Sequence, residues 1–312
     1  MSSPIFVCGA TGTQGGAVAR HLRKADVPVH ALVRDPTAPK AKKLQDLGVT
    51  LFPGSFEDDA SLKAALKGTR AAFLNFTRSA SDPKIELKHA KAVLAAAGDA
   101  GATHIVYTSS FGLEDNAALQ EERDPEGYIT QIYRAKREVV NEVAAAGFES
   151  YAILCPGKFM SDLFGPNAAW FGGLTVNGVY ETALREGEAA PWVDPDDIGA
   201  FGAAALLDPK KYNGKRVNVF TEFLAIEDVV SVAAQATGKD LSVRFLTEEE
   251  VEEKIKGGDM FIRSQVGMRG MGRGESMESV RSWGVPLSSY RSFLDREKTR
   301  LWETYSHLPD LK

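Results

Sequence analysis

Short apolar runs and longer amphipathic runs alternate along the first 150 residues of the chain. The short runs are rich in β-branched and aromatic residues and predict strands, whereas the longer runs have the apolar spacing of helices. This alternation is typical of right-handed βαβ crossovers, which build a parallel sheet with helices on both faces. The predicted strands are 5–8, 27–33, 49–52, 71–76, 104–108 and 150–154, and the predicted helices are 14–24, 39–47, 61–66, 85–100 and 127–146.

The pattern is less regular after residue 154. Residues 159–178 predict a pocket-lining loop, and residues 257–274, rich in glycine and methionine, fit either a mobile lid or a surface helix broken by glycine. Further helices are predicted at 195–207, 226–237 and 247–255, a single amphipathic helix at 288–305, and strands at 216–220 and 241–246. We therefore predict an α/β protein with two domains. Residues 1–154 would form a Rossmann-type doubly wound domain, and residues 155–312 a smaller α+β substrate domain whose segment 195–220 rejoins the first sheet.

Composition and charge narrow the class of protein. Hydrophobic residues make up 44% and charged residues 25% of the 312 positions, which excludes global disorder. The net charge of −5 argues against a surface dedicated to nucleic acid or to an anionic membrane. No signal-peptide pattern and no apolar run of ~20 residues is evident. Because Cys8 and Cys155 are distant in sequence and lie in apolar runs, we expect buried, reduced thiols in a cytoplasmic protein.

A glycine-rich motif directly follows the first predicted strand and opens the first helix. Gly9, Gly12 and Gly15 give the spacing GxxGxxG, which provides a tight turn, a bare backbone for a pyrophosphate and close packing of the helix on the strand. The helix N-terminus offers amide groups and a positive dipole end to phosphates. The sequence therefore predicts dinucleotide binding by Gly9, Ala10, Thr11, Gly12, Thr13, Gln14 and Gly15.

The end of the second predicted strand indicates which dinucleotide binds. Many NAD sites carry an acid here for the ribose 2′-hydroxyl, but this strand ends at Arg34, with Asp35 one position further on. Three lysines follow on the next helix, at positions 40, 42 and 43. An arginine suits a 2′-phosphate, so we predict NADP(H), while Asp35 leaves NAD(H) open. The alternative is that Arg34 is only a solvated loop charge.

The ends of later strands carry polar, aromatic and turn-forming residues. Ligands bind outside the carboxyl ends of a doubly wound sheet, so residues 54–56, 75–78, 108–111 and 155–160 should line one crevice. For each residue alone, ordinary turn chemistry is an equal explanation. The further residues predicted to bind the cofactor are Phe76, Thr77, Pro156, Gly157 and Phe159.

The chain resembles the NmrA-like family, an atypical branch of the short-chain dehydrogenase/reductases. The segments that carry the resemblance are VCGATGTQGGAVARHL, HALVRDP, HIVYTSSFG, AKREVVNEVAAAGF, ILCPGKFM and PWVDPDDIGAFGAAALLDP. The resemblance implies a Rossmann domain and a smaller substrate domain with the dinucleotide between them. It also implies one of two functions, since the family contains NADP-dependent reductases as well as redox sensors that regulate a transcription factor.

The resemblance assigns the catalytic region to one helix. Lys136 matches the family lysine, which also contacts the cofactor, but Ile132 stands where ordinary short-chain dehydrogenases have their tyrosine acid. Tyr133 is three residues before the lysine and so points ~100° away from the usual direction. Ser109 matches the family serine after strand five, whereas Ser55 replaces the aspartate that contacts adenine in many relatives. Lys136 and Ser109 are therefore the candidate catalytic residues.

Two functions follow as hypotheses. The first is an NADPH-dependent oxidoreductase that reduces a carbonyl group or conjugated double bond of a small aromatic or apolar substrate. The second is a non-catalytic redox sensor with a regulatory protein partner, in which case the nucleus is also a possible location. The aromatic or apolar residues expected around the substrate are Phe111, Phe159, Met160, Phe164, Trp170, Phe171 and Trp192.

Other chemistries are not supported by the sequence. The five histidines lack metal-ligand spacing, so no metal is expected, and no GxSxG motif indicates a hydrolase. Asp194, Asp196 and Asp197 are expected to begin a helix as capping groups rather than to form a catalytic acid pair. The arginines of the glycine-rich segment, Arg263, Arg269 and Arg273, are expected to cover a pocket or contact a partner rather than bind nucleic acid.

Overall fold

A computed structural model describes residues 3–79, 82–114, 118, 121–122, 125, 127–168, 173–272 and 274–312. Its strands are β1 (Ile5–Val7), β2 (Val29–Val33), β3 (Thr50–Pro53), β4 (Ala71–Leu74), β5 (His104–Thr108), β6 (Ser150–Pro156), β7 (Lys158–Phe159), β8 (Val179–Thr182), β9 (Ala190–Val193), β10 (Lys215–Val219), β11 (Glu222–Leu224) and β12 (Ser242–Phe245). No helix of the described part is long and apolar enough to cross a membrane.

Helices cover the sheet and build most of the second half of the chain. They are α1 (Thr13–Lys24), α2 (Pro39–Asp46), α3 (Asp59–Leu66), α4 (Ile85–Asp99), α5 (Tyr128–Ala145), α6 (Gly165–Ala168), α7 (Gly173–Asn177), α8 (Pro195–Leu207), α9 (Pro209–Tyr212), α10 (Ile226–Thr237), α11 (Glu248–Lys256), α12 (Met260–Met268), α13 (Met277–Arg281), α14 (Tyr290–Arg296) and α15 (Lys298–Tyr305). A 3₁₀ helix spans Met160–Leu163.

The large sheet has seven strands in the order β10-β6-β5-β4-β1-β2-β3. Every neighbouring pair is parallel. The chain therefore winds in one direction from β1 to β3 and in the other from β4 outwards, which opens a crevice at the carboxyl ends of β1 and β4. This topology confirms the predicted Rossmann-type α/β class. The late strand β10 pairs with β6, with Lys215 opposite Ala152.

Alternation along the central strands explains why helices cover both faces of the sheet. Ile5 and Val7 belong to one hydrophobic cluster, whereas Phe6 belongs to the cluster on the other face. On the first of these faces α1 and α8 pack at very short range. A Cβ at Gly199 would lie 2.5 Å from the backbone carbon of Ala17, so glycine is required for this contact.

The remaining strands form two small sheets, with the orders β11-β9-β7 and β12-β8. They adjoin a separate hydrophobic cluster that includes Phe164, Tyr180, Trp192 and Phe293. This cluster lies largely in the second half of the chain. The division into domains at residue 154 stays a prediction.

Several elements differ from those predicted. The single helix expected at 288–305 is wrong, because Glu297 ends α14 and precedes α15. The predicted loop at 159–178 contains the 3₁₀ helix, α6 and α7, and the segment 257–274 contains the regular helix α12. The short strands β8, β9 and β11 were not predicted. Strands of three or four residues give too short an apolar alternation to be distinguished from loops.

Candidate functional site

The glycine-rich turn connects β1 to α1 in a tightly packed conformation. Gly9 has a φ of +62°, in the left-handed region, and the Gly12 amide donates to the Gly9 carbonyl oxygen at 2.8 Å. A Cβ at Gly15 would lie 2.4 Å from the carbonyl oxygen of Cys8. Gly9 and Gly15 are therefore required by the backbone itself, as the motif predicted.

The N-terminus of α1 is suited to an anion. Gly12 is its N-cap residue in an extended conformation, and no described side chain caps it. Thr11, Gly12 and Thr13 are exposed, whereas Ala10 is buried beneath the turn. A helix end whose first amides are exposed and uncapped by side chains binds phosphate well, so this part of the chain fits the pyrophosphate of a dinucleotide.

A hydrogen bond joins this turn to the end of β5. The Thr108 hydroxyl donates to the Gln14 side-chain oxygen at 2.7 Å. Thr108 is buried, so the bond holds Gln14 at a fixed position between the phosphate-binding turn and the residues that follow β5. The predicted residues Gln14 and Ser109 are thereby brought to one site.

Arg34 and Asp35 differ in what they contact. The Asp35 carboxylate accepts hydrogen bonds from the Thr37 amide at 2.8 Å and from the Thr37 hydroxyl at 2.6 Å. These bonds, the hydroxyl foremost, lower the pKa of Asp35 and hold its carboxylate in its own turn. Arg34 is exposed directly after β2. The exposed lysines 40, 42 and 43 lie on α2, the next helix.

The predicted cofactor residues after β4 have different surroundings. Phe76 is buried, with its ring centroid 5.6 Å from that of Phe56 and 6.3 Å from that of His89. Thr77, the next residue, is exposed. Phe76 therefore supports the crevice as part of an aromatic cluster, while Thr77 is accessible to a ligand.

A cavity of about 550 Å³ lies beyond the carboxyl ends of β5 and β6. The predicted residues that line it are Gln14, Ser109, Phe111, Lys136, Pro156, Gly157, Phe159 and Trp192. Arg78, Ser110 and Lys158 also line it, as members of the strand-end segments expected at the crevice. The lining residues from outside those segments that were not predicted to serve a site are Tyr133, Asp162, Tyr180, Phe261, Ser264, Met268 and Met271. The cavity thus combines aromatic walls with a few convergent polar groups, as ligand sites do.

Ser109 is one of the residues that line this cavity. Its backbone amide donates to the Leu154 carbonyl oxygen at 2.7 Å, which fixes the residue between β5 and β6. Its Oγ atom is buried and has no hydrogen-bond partner within the described part of the chain. A buried hydroxyl that lines a cavity and lacks a protein partner fits a ligand atom that it can bond.

Lys136 on α5 faces a buried carboxylate. Its Nζ atom lies 4.0 Å from Oε2 of Glu86, a residue of α4 that was not predicted to take part. Burial lowers the pKa of Lys136, and the negative charge of Glu86 acts in the opposite direction. Lys136 on α5 lines the cavity, whereas Glu86 on α4 is buried and is not among the residues that line it.

Ile132 and Tyr133 stand at and next to the position where ordinary short-chain dehydrogenases carry their tyrosine. Ile132, at the place of the usual tyrosine, is half-buried. Tyr133 is buried and lines the cavity, although it is three rather than four residues before Lys136. The structure thus brings a tyrosine to the same cavity from a neighbouring direction on the helix.

Helix α12 forms one wall of the cavity. The Gln265 side chain, which has no exposed surface, donates to the Tyr180 hydroxyl at 3.0 Å and accepts from the Ala183 amide at 2.7 Å. Phe261 and Met268, on the same helix, line the cavity. The run MFIRSQVGM holds three polar residues in succession, Arg263, Ser264 and Gln265, so the sequence alone did not single out this anchor.

Some predicted pocket residues lie elsewhere. Met160 and Phe164 have no exposed surface and belong to the hydrophobic cluster of the second half, so their assignment to the substrate pocket is wrong. Trp170, Phe171 and Arg273 lie outside the described residues. Arg269 donates to the Ala183 carbonyl oxygen at 2.6 Å and pairs with Glu248.

The three aspartates near 195 have structural contacts, as expected. Asp194 caps α8 through the Asp196 amide and accepts from Arg296. Asp196 pairs with Arg20 and His21 of α1. Asp197 accepts from the backbone amide of Ser288. The carboxylates therefore connect α8 to α1 and to the C-terminal segments.

Comparison with known proteins agrees with this geometry. The model of the NmrA-like family matches residues 1–308. The chain belongs to the NmrA-like family. This NmrA-like protein is 28% identical over 253 residues to an NAD(P)H azoreductase of Xenophilus azovorans, covering 81% of this chain and 80% of that protein. It is 28% identical over 252 residues to the NmrA-like family domain-containing oxidoreductase himF of Aspergillus japonicus, covering 75% and 73%.

Solved structures share the fold. The NADPH-dependent quinone oxidoreductase QOR2 of Escherichia coli, complexed with NADPH, aligns with a TM-score of 0.72 and 22% identity over 94% of this chain and 99% of that one. Nmra, a negative transcriptional regulator in complex with NAD, aligns with a TM-score of 0.73 and 19% identity over 97% of each chain. The predicted family resemblance is thus confirmed.

Proposed function

We propose that this NmrA-like protein is an NADPH-dependent oxidoreductase. Its acceptor would be a carbonyl group or conjugated double bond of a small aromatic or apolar molecule. The observation that carries this proposal is the cavity of about 550 Å³, which is walled by strand ends, α5 and α12 and adjoins the phosphate-binding turn. A cavity with several walls suits a small substrate better than a protein partner, which needs an extended surface.

Arg34 supports NADP(H) as the cofactor. It is exposed at the end of β2, whereas Asp35 is engaged by the amide and hydroxyl of Thr37. A guanidinium matches a phosphate group in charge and geometry. Because the Asp35 carboxylate accepts bonds from its own turn, a ribose 2′-hydroxyl would have to compete for it. NAD(H) remains a weaker second ligand in this proposal.

The side chains in the cavity would orient an acceptor and balance its charge. When bound, NADPH supplies the hydride of the reduction. Ser109 would donate a hydrogen bond to an acceptor oxygen, and the Lys136 ammonium would stabilise negative charge that develops nearby. Phe111 and Trp192 would hold the apolar part of the acceptor and exclude water.

A redox sensor is the second candidate. It is favoured by Ile132, which leaves the usual tyrosine position without an acid. The similarity in fold to a negative transcriptional regulator accords with it. In this case a protein partner would respond to the bound dinucleotide, and the nucleus would be a further possible location. For the enzyme we propose the cytoplasm, because two buried cysteines without a disulfide fit a reducing compartment.

The decisive experiment measures NADPH oxidation by the purified full-length chain. Quinones, enones, aromatic ketones and azo dyes are offered in turn, and the absorbance band of reduced nicotinamide is followed. We expect turnover with at least one aromatic acceptor and loss of that turnover in Ser109→Ala or Lys136→Met. Tight NADPH binding by calorimetry without turnover of any acceptor would favour the sensor instead.

A further inference from the structure

Lys158 is a second lysine of the cavity, expected to line it within the segment 155–160 but given no individual role. It is the first residue of β7, directly after Gly157, and it lies opposite Trp192 of β9 in the register of the small sheet. A Cβ at Gly157 would lie 2.5 Å from the carbonyl oxygen of Pro191, so glycine allows the chain to approach β9 here. Lys158 lines the same cavity as Ser109, which follows β5.

The surroundings of Lys158 stabilise its charge only weakly. Its Nζ atom lies 4.7 Å from the centroid of the Trp192 ring. Trp192 is itself fixed, since its indole N–H donates to the Leu224 carbonyl oxygen at 3.1 Å. Burial lowers the pKa of Lys158 to about 8, and the charge of Asp162 acts in the opposite direction. The ammonium and the neutral amine are therefore both accessible near neutral pH.

Lys136 differs from Lys158 in its charge partner, because its Nζ atom lies 4.0 Å from Oε2 of Glu86. Deprotonation of Lys136 would leave the buried Glu86 carboxylate without a counter-charge, which is costly in a protein interior. Deprotonation of Lys158 leaves a neutral amine against an aromatic ring. Of the two cavity lysines, Lys158 is thus the better proton donor, and Lys136 the better fixed charge.

We infer that Lys158 is the catalytic acid of this site, taking the place of the phenol that the chain lacks at Ile132. The inference rests on the proposed oxidoreductase function. With a quinone acceptor, one N–H bond of the Lys158 ammonium breaks and one O–H bond forms at a quinone oxygen. The quinone also gains the hydride supplied by NADPH, so it leaves as hydroquinone and the dinucleotide leaves as NADP⁺. The Lys158 amine then takes a proton from water.

Other titratable or charged groups face the same cavity and belong to the test. They are Arg78, Tyr133, Lys136, Asp162 and Tyr180. Burial raises the pKa of Tyr180, whose hydroxyl accepts from Gln265, so this phenol is a poor donor at neutral pH. Tyr133 is the remaining alternative to Lys158 as the proton donor, so the Tyr133→Phe variant is measured alongside the Lys158 variants.

Steady-state kinetics with NADPH and 1,4-naphthoquinone compare four variants with the wild type, and Tyr133→Phe is one of them. In Lys158→Met we expect kcat to fall about 100-fold or more, since general acid catalysis contributes ~10²–10⁴. In Lys158→Arg, which keeps the charge but does not release a proton, we expect kcat to stay equally low. Lys210→Met, an exposed residue of α9, is the control and should match the wild type.

The pH dependence distinguishes a proton donor from a structural residue. Wild-type kcat should decline above a pH of about 8 as the Lys158 ammonium is lost. This decline should be absent in Lys158→Met, whose residual rate no longer depends on the amine. Recovery of most of the wild-type kcat in Lys158→Arg would overturn the assignment. So would a Tyr133→Phe variant that loses as much kcat as Lys158→Met and no longer shows the decline at high pH.

A second readout is independent of turnover. The rate at which acetic anhydride modifies Lys158 is measured against pH by peptide mass spectrometry, with and without NADP⁺. We expect half-maximal reactivity near pH 8, and a value near 10.4, as in ordinary lysines, would overturn the inference. Wild type that is inactive with all of the quinones, enones, aromatic ketones and azo dyes overturns the proposed function itself. Active wild type with an unaffected Lys158→Met overturns only the role of Lys158.

Discussion

The Nζ atom of Lys136 lies 4.0 Å from Oε2 of Glu86 across the interface of α5 and α4. Glu86 is 2% exposed, and its Oε2 atom has no hydrogen-bond partner among the described residues. The lysine that the sequence assigns to the cofactor therefore also neutralises a buried carboxylate. This second contact was not predicted, because Glu86 reads in sequence as an ordinary first-turn helix acid.

The contributions of Glu86 and Lys136 to the free energy of unfolding should depend on each other. Glu86→Gln and Lys136→Met each leave one buried polar group unpaired, so each should lower the free energy of unfolding by about 1–3 kcal/mol. The double variant should lose less than the sum of the single losses. Urea unfolding of the dinucleotide-free protein measures all four. Simple additivity would show that the two groups do not interact.

Removal of Arg34 should change the dinucleotide preference. Arg34→Ala should weaken NADP⁺ binding by about 10- to 100-fold, the effect of a lost charged hydrogen bond. NAD⁺ has no 2′-phosphate and serves as the matched control, for which we expect little change. Calorimetry gives both dissociation constants. An equal loss for the two dinucleotides would mean that Arg34 does not contact a 2′-phosphate.

Two glycines of the motif should respond differently to alanine. Gly12 is extended, and a Cβ there would meet only the Gly9 carbonyl oxygen at 3.1 Å, so Gly12→Ala should fold with little loss of stability. Its methyl group would stand where a phosphate approaches, and NADPH affinity should fall about tenfold or more.

In Gly15→Ala the new Cβ would lie 2.4 Å from a carbonyl oxygen. This variant should lose about 1–3 kcal/mol or more of stability before any effect on binding. Thermal unfolding and calorimetry separate the two effects, and normal NADPH binding by Gly12→Ala would contradict the assignment of the turn.

Asp197 should make stability fall with rising pH over an acidic range. Burial raises its pKa from 3.8 to about 6 in the folded protein, although Ser288 donates to it. The folded state therefore binds a proton more tightly than the unfolded state. This contribution is fully present below pH 3.8 and is lost as the pH rises through about 6. Relative to Asp197→Asn, the wild type should lose about 2–3 kcal/mol between pH 4 and 7. Chemical unfolding at a series of pH values tests this, and a constant difference between the two proteins would refute it.

Local patterns gave the N-terminal half of the fold and the cofactor turn. Buried parallel strands are continuous apolar runs, and the predicted phosphate-binding turn depends on glycines spaced three residues apart, so both can be recognised in the sequence. The strand at 104–108 and the helix at 226–237 agree in both bounds with β5 and α10. Errors increase where pairing is non-local, as in β9, which pairs with β7 and β11 from distant parts of the chain.

The sequence by itself determined the Rossmann-type class and the candidate role of Arg34, because these depend on residue type and on spacing within one element. It also carried the family resemblance, and that resemblance implied the candidate roles of Ser109 and Lys136. Only the tertiary structure decided which residues from outside the strand-end segments share the cavity. It adds Tyr133 on α5 and Phe261 on α12, and it places Met160 and Phe164 in a hydrophobic core. It also sets Glu86 behind one lysine and Trp192 beside the other. The charge and acidity of a lysine depend on burial and on neighbours that are distant in sequence, and these exist only once the chain has folded.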